Sequence, residues 1–414
     1  MERQSAKALS GTFAPNKEEP IHRWYPYLEG YSSRLIDGLI HEIGIGRVRT
    51  IYDPFCGSGT TPLVASGYGI ASYYSETNPF MRRVTEAKTN RVRRLRNSGI
   101  GGAALRRFAD ELAERPEDFL AGDAQWDGFE KFFEPDVLRR LKGVLAGIRR
   151  IPEEDSGEIA LVLLASVAVR ASRMIRRGDL RFARENEKSD ADRDILGNFL
   201  AKLRLAADDI EDMERPVLAE TVCLSGDAKD MDAEDMADCV ITSPPWLNGT
   251  GYVKNTKLEL KLSGCIRSEQ ELPALYSTGI TAGLNNVSKR KRIPEPRPYV
   301  RPYAEALSAV AYDRRIPAMV CGYFHDMEQV IERLSRAVRD GGTFIMDIGD
   351  SQFAGVHIPT HELLIRMALV RKWVGGGLVV LENRRKCLIS TQNKGKTGNL
   401  RSIYSPRIGY RPTS

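Results

Sequence analysis

The stretch "IYDPFCGSGTTPLVA", residues 51–65, sets two glycines and two threonines between an apolar run and a segment of helical composition. A glycine turn at that junction lets the backbone approach a ligand closely. A triphosphate loop requires GxxxxGK[ST], because a lysine must reach the β- and γ-phosphates. Here the glycines are followed by Thr60-Thr61, so that reading fails. A dinucleotide fingerprint needs a third glycine for close helix–strand packing, and "GSGTTP" has none at that place.

Working outward, "RVRTIYDP" (47–54) reads as a strand entering the turn, and "TPLVASGYG" as a short helix ended by Gly67 and Gly69. The next strand, "IASYYSETNP" (70–79), closes on Asn78-Pro79 and carries Glu76 near its end. An acidic residue about twenty positions after the turn is where an α/β sheet places a carboxylate for ribose hydroxyls. Together these features describe a nucleoside ligand without a pyrophosphate.

From about residue 91 to 214 the period becomes helical: Val137, Leu138, Leu141, Leu145 and Ile148 recur at helical spacing, as do Ile195, Phe199, Leu200 and Leu203. Strands resume with "ETVCLSGDA", "ADCVITSPP" and "GGTFIMDIGDS", the last preceded by the helical "MEQVIERLSRAVRD". The expected frame is α/β with a helical insertion.

The chain has 414 residues, 42% of them hydrophobic and 28% charged, in keeping with a globular protein. Its strongest apolar run, "IALVLLASVAV" (159–169), is shorter than the ~20 residues a membrane span needs and reads as a buried helix. The N-terminus lacks the apolar core of a secretory signal. Six cysteines without CxxC spacing point to neither zinc nor disulfides, and so to no metal and a reduced, cytoplasmic compartment. A net charge of +6 suits a polyanionic partner. Arg and Lys concentrate in "KTNRVRRLR" (88–96), "RASRMIRRGDLRFAR" (170–184) and "SKRKRIPEPRPYVRPY" (288–303). Any one of these is ordinarily a solvated face; three of them point to nucleic acid.

A second motif carries chemistry. "DCVITSPPWLNGTGY" puts Ser243-Pro244-Pro245-Trp246 directly after an apolar strand. Two prolines fix φ near about −65° and remove two N–H donors, leaving rigid outward carbonyl acceptors, and Trp246 adds a broad π-face. Acceptors beside an aromatic face fit the exocyclic amino group of a flat base extruded from a duplex.

The pair "DPFCGSGTT" and "TSPPW" resembles the S-adenosylmethionine-dependent DNA amino-methyltransferases, in particular the cytosine-N4 group with its Ser-Pro-Pro-aromatic tetrad. "HRWYPYLEGYSSRLIDGLI" (22–40) is similar to that family's N-terminal motif, with Tyr31 at its aromatic position; "SETNPF" is similar to its acidic motif, with Glu76 where Asp is commoner. "LSGDA" (224–228) looks like the segment lying against the adenine ring. The resemblance implies a Rossmann-like fold with a mostly parallel, seven-stranded type of sheet. It further implies S-adenosyl-L-methionine held by Tyr31, Asp53, Pro54, Phe55, Gly57, Gly59, Thr60, Glu76, Asn78, Asp227 and Ala228, and double-stranded DNA as substrate. A cognate restriction endonuclease acting on the same site is the partner it implies. It does not extend to the helical block.

The implied chemistry can be argued from the groups present. Methylation at cytosine C5 uses a Pro-Cys nucleophile, and no cysteine here follows a proline. An amino nitrogen is a poor nucleophile because its lone pair is delocalised into the ring. Hydrogen bonds to the Ser243 hydroxyl and the Pro244 carbonyl would favour a tetrahedral nitrogen for direct in-line transfer, with Trp246 stacking the base. Adenine-N6 enzymes of the superfamily usually carry Asp or Asn at the first tetrad position, so Ser243 favours cytosine. An adenine-N6 enzyme is the alternative; an RNA amino-methyltransferase and a non-catalytic DNA-binding protein on the same scaffold are more distant ones.

The expected organisation follows the motifs. Residues 1–90 hold the N-terminal motif and the cofactor half of the methyltransferase domain, and 91–215 the helical insertion, a rival DNA contact. Residues 216–263 hold the catalytic half and 264–318 a basic, Pro/Tyr-rich recognition region with Lys289, Arg290, Lys291, Arg292, Arg297 and Arg301 as DNA contacts. Residues 319–414 complete the methyltransferase domain.

Overall fold

The computed structural model describes residues 12–27, 29–120, 126, 128–177, 179–213, 219–247, 251–287, 294–370, 378–389 and 403–410. Its strands are β1 (Thr50–Asp53), β2 (Ala71–Ser75), β3 (Met174–Arg177), β4 (Asp179–Phe182), β5 (Thr221–Ser225), β6 (Ala237–Thr242), β7 (Val338–Met346), β8 (Asp350–Phe353), β9 (Val356–Ile358), β10 (Leu378–Ile389) and β11 (Ile403–Tyr410). Five of them form a wholly parallel sheet in the order β5-β2-β1-β6-β7. The strands β11-β10-β8-β9 form a second, four-stranded sheet, so the parallel sheet has five strands where the sequence leads one to expect seven.

The order explains where a site must lie. From β1 the chain moves to β2 and β5 on one side, then returns to β6 and β7 on the other. The crevice at the carboxyl ends of β1 and β6 is therefore the switch point at which open α/β sheets bind ligands. β1 ends at Asp53 and β6 at Thr242, so the glycine turn and the Ser243 tetrad leave the sheet side by side.

Local chemistry sets the flanking helices. Ser32 caps the helix Ser33–Ile43, its hydroxyl accepting from Leu35 N at 3.2 Å, and the helix buries Leu35, Ile36, Leu39 and Ile40 against Ile51 and Ala65. Gly59, at φ +81°, starts the helix Thr60–Gly67, and Asn78 caps Pro79–Glu86 by accepting from Phe80 N at 3.0 Å. On the other side the long helix Arg315–Ala337 packs Tyr323, Phe324 and Met327 into a core shared with Tyr52, Val240 and Phe344.

The expected helical block is present as Ala103–Glu114, Pro135–Ile148, Glu154–Ala171 and Ile195–Glu211. The apolar run 159–169 lies in Glu154–Ala171 and is buried nearly all round. The helical reading missed the antiparallel hairpin β3-β4 within that block, where Met174 and Leu180 are buried and Arg176, Arg177 and Asp179 lie between them in sequence. The block shares its core with Ile21, Trp24, Tyr25, Phe80 and Met81. Asp209, buried on Ile195–Glu211, accepts from Ile21 N at 2.9 Å and Trp24 Nε1 at 2.8 Å and pairs with Arg23. That carboxylate fixes the N-terminal segment, including Ile21 at a strained φ of 61°.

Candidate functional site

A cleft of about 1150 Å³, measured out to and including its open solvent mouth, lies at the switch point. Its walls bring together Tyr31, Pro54, Phe55, Gly57, Thr60, Glu76, Asn78, Asp227 and Ala228 with Ser243, Pro244, Pro245 and Trp246. Asp53 and Gly59 lie behind the wall. Asp53 is buried and accepts from the Tyr31 hydroxyl at 2.8 Å, Thr242 Oγ1 at 2.7 Å and Phe55 N at 3.1 Å. One carboxylate thus ties the N-terminal motif, the glycine turn and the last residue before the tetrad. Burial pushes its pKa up against those donors. The Tyr31 hydroxyl also bonds Thr61 Oγ1, and Asn16 holds the Tyr31 carbonyl from behind at 3.1 Å.

The turn itself needs glycine at two positions. Gly57 has φ +53°, and a Cβ there would meet the Tyr27 ring at 2.7 Å; Gly59 presses on Thr85. Tyr27 therefore closes directly over the turn. Glu76 faces the turn from β2's end, its two oxygens accepting from Gly57 N and Asn78 N, each at 2.8 Å. Burial raises its pKa to about 7 in spite of these two donors. A carboxylate has about four acceptor positions, so two remain for ligand hydroxyls. Cys56 is buried beside Thr85, and burial with the nearby Asp53 charge drives its thiol pKa far up, which excludes it as a nucleophile.

The tetrad is held at both ends. Thr242 is fixed by Asp53 through its hydroxyl and by Asp347 N through its carbonyl, at 2.9 Å. Beyond the tetrad, Ser351 Oγ donates to the Leu247 carbonyl at 2.6 Å, and the Trp246 main chain hydrogen-bonds the Tyr252 hydroxyl. Trp246 is half-buried, packed on the core of the long helix while still facing the cleft. Acceptors and a π-face held rigidly beside a polar carboxylate pocket can grip a flat base and a nucleoside together.

Several cleft residues escaped sequence reasoning: Tyr27, Glu29, Tyr252, Tyr276, Gly279 and Asn286. The aromatic content of "HRWYPYLEGY" was the available signal for Tyr27. The segment around Gly279 comes from the expected recognition region, and nothing local marked it. Asp227 latches it, accepting from Gly279 N at 3.0 Å, and Asp326 accepts from Thr281 N at 2.8 Å.

The basic clusters fare unequally. In 88–96, Arg91 and Arg94 pair with Asp155, and in 170–184, Arg173 pairs with Glu134, Arg176 with the buried Glu259 and Arg181 with Glu187. Much of that charge is already compensated. Lys289, Arg290, Lys291 and Arg292 lie outside the described residues. Arg297 pairs with Glu328 at 2.9 Å, and Arg301 opens the helix Arg301–Val310 on the surface. Among the described residues no acidic, His and Cys side chains cluster as metal ligands, and no helix is long and apolar enough to cross a membrane.

No family model matches the chain, and no solved structure matches it. Curated relatives do. The chain is 25% identical over 463 aligned positions to the Type II methyltransferase M.BsoBI of Geobacillus stearothermophilus, covering 97% of this chain and 87% of that one. It is 23% identical over 398 positions to the Type II methyltransferase M.AvaI of Nostoc sp., covering 86% and 80%, and matches the M.AvaI of Anabaena variabilis equally. Across most of its length, then, the chain is similar to Type II methyltransferases, a similarity that supports a DNA methyltransferase.

Proposed function

We propose that the protein is a site-specific DNA methyltransferase acting on the exocyclic N4 amino group of cytosine in double-stranded DNA, with S-adenosyl-L-methionine as donor. The observation that carries the reading is a single cleft uniting the glycine turn, Glu76 and the Ser243–Trp246 tetrad. The residues fit the donor. Glu76 keeps two acceptor positions for ribose hydroxyls, Asp227 and Ala228 flank the place for a purine ring, and the first turn of the helix that starts at Thr60 offers main-chain N–H groups to an anionic tail. When bound, the donor supplies a methyl group activated by a sulfonium.

The chain's own part is binding and orientation. Trp246 stacks a base flipped out of the duplex, while Ser243 Oγ and the Pro244 carbonyl accept from its amino group and draw its nitrogen toward a tetrahedral geometry. Positioning of this kind can remove ~7–11 kcal/mol from a bimolecular barrier. Asp53 keeps the tetrad and turn in register without touching the reacting atoms. The basic segment 288–303 supplies phosphate contacts, which makes DNA affinity fall with salt. Residues 91–215 act as a helical insertion and 264–318 as the recognition region.

The relatives' Type II designation supports a restriction-modification setting, with a cognate endonuclease cutting the same sequence in the cytoplasm. The test is expression in a host lacking DNA methylation, followed by sequencing that distinguishes modified bases. N4-methylcytosine at one short motif supports the reading, N6-methyladenine replaces it with the adenine enzyme that Ser243 argues against, and unmodified DNA overturns both.

A further inference from the structure

Lys88 opens the basic run 88–96, yet its side chain is fully buried. Its Nζ donates to three main-chain carbonyls: His22 at 3.2 Å, Ser58 at 3.3 Å and Tyr25 at 3.5 Å. Ser58 belongs to the glycine turn on the cleft wall. His22 and Tyr25 belong to the N-terminal segment that supplies Tyr27, Glu29 and Tyr31 to the same cleft. The lysine lies in a π-helical turn, Ala87–Arg91, a local widening that recurs at functional sites. One ammonium therefore joins two pieces of chain, the glycine turn and the N-terminal segment, that both line the cleft.

Its electrostatic situation is unusual. Arg91 and Arg94 of the same run pair with Asp155, whereas no carboxylate among the described residues pairs with Lys88. Burial lowers its pKa to about 7, Lys202 on the helix Ile195–Glu211 adds to the lowering, and Cys56 on the turn opposes it. His22, which faces it, is held neutral, its pKa pushed to about 3 by burial and by Lys88. A buried cation without a counter-ion is costly. The Ser58 hydroxyl on the same turn is buried without a partner, and the helix Thr60–Gly67 begins there with its positive end toward the cleft. All three features ask for an anion on the cleft side of the turn.

We infer that Lys88 is a positioning residue whose counter-ion is the carboxylate at the methionine end of the cofactor, held across the Ser58 peptide, so that cofactor charge and N-terminal segment are secured by one ammonium. The inference rests on the cofactor reading above. The probes are S-adenosylhomocysteine, which carries the carboxylate, and 5′-methylthioadenosine, which keeps the nucleoside and lacks it. Titration calorimetry on the full chain reads both.

Lys88→Met should weaken S-adenosylhomocysteine roughly tenfold or more, the scale of opposite charges one peptide apart in a protein interior, and leave 5′-methylthioadenosine within about twofold. Lys88→Arg should restore most of the loss. Equal weakening of both ligands, or an unchanged S-adenosylhomocysteine affinity, would overturn the inference. Should Lys88→Met not fold, the wild type decides: the affinity ratio of the two ligands should fall severalfold from about pH 6 to about pH 8 as the free ammonium loses its proton, and a constant ratio overturns the role. A wild type that binds neither ligand sinks the cofactor reading itself, a distinguishable failure.

Discussion

Glu76 offers the sharpest quantitative handle on the cleft. Burial holds its carboxyl at a pKa of about 7 in the free protein, against a usual value of 4.5. Two ribose hydroxyls donating to it would stabilise only the ionised form and return it toward that usual value. The sign follows directly: a ligand that needs the carboxylate binds fully above about pH 7 and loses affinity as pH falls through it. At about pH 6 roughly one free site in eleven is ionised, and at about pH 8 roughly ten in eleven, so affinity should change about tenfold, or ~1.4 kcal/mol, over those two units. The same shift means that the free fold loses stability through this group as pH rises from about 4.5 to about 7.

The assay is calorimetric titration with 5′-methylthioadenosine, whose own groups do not titrate in this range. Glu76→Gln should bind more weakly at every pH and with no slope, because an amide presents a single acceptor oxygen. Affinity that is flat in the wild type, or that rises on acidification, would refute the assignment of Glu76 to the nucleoside hydroxyls.

Three further expectations rest on separate contacts. Gly57→Ala forces a left-handed residue, ~1–2 kcal/mol, and drives its Cβ into Tyr27, another ~1–3 kcal/mol; a lowered Tm partly rescued by adding Tyr27→Ala is expected, and an unchanged Tm contradicts it. Asp209→Ala strips partners from Ile21 N, Arg23 and Trp24 Nε1 and should cost about 3 kcal/mol in urea unfolding, a loss below 1 kcal/mol arguing that the anchor is unimportant. Ser243→Ala should lower kcat roughly 10- to 100-fold with cofactor affinity kept, and Trp246→Ala should weaken DNA by ~1–3 kcal/mol while sparing the cofactor; loss of cofactor binding in either variant would show the tetrad misassigned.

Much of the site was legible because its signals are local. Gly57 and Gly59 announce a turn that only they can make, Glu76 stands at a strand end, and a Ser-Pro-Pro-Trp run has few structural uses. The switch point then joins them, since β1 and β6 are neighbours in the sheet. What stayed hidden depends on partners distant in sequence. Asp53 reads as a ligand residue, yet Tyr31 and Thr242, 22 and 189 positions away, hold it behind the wall. Lys88 looks like surface charge beside four arginines, and only the packing of residues 22–25 and 58 over it buries it. The hairpin β3-β4 eluded pattern reading because its strands are four residues long and rich in arginine. Gly279 reaches the cleft through Asp227, 52 positions earlier, a contact no period encodes.

The central claim is that Ser243, Pro244 and Trp246 present a cytosine amino group to a methyl donor bound at the glycine turn. Purified protein incubated with duplex DNA of mixed sequence and a donor bearing a deuterated methyl group, followed by enzymatic digestion and mass spectrometry of the nucleosides, tests it most directly. The account predicts the label on N4-methyldeoxycytidine, abolished or strongly reduced by Ser243→Ala. Label on N6-methyldeoxyadenosine or on C5 of cytosine, or no label with the donor demonstrably bound, would contradict it.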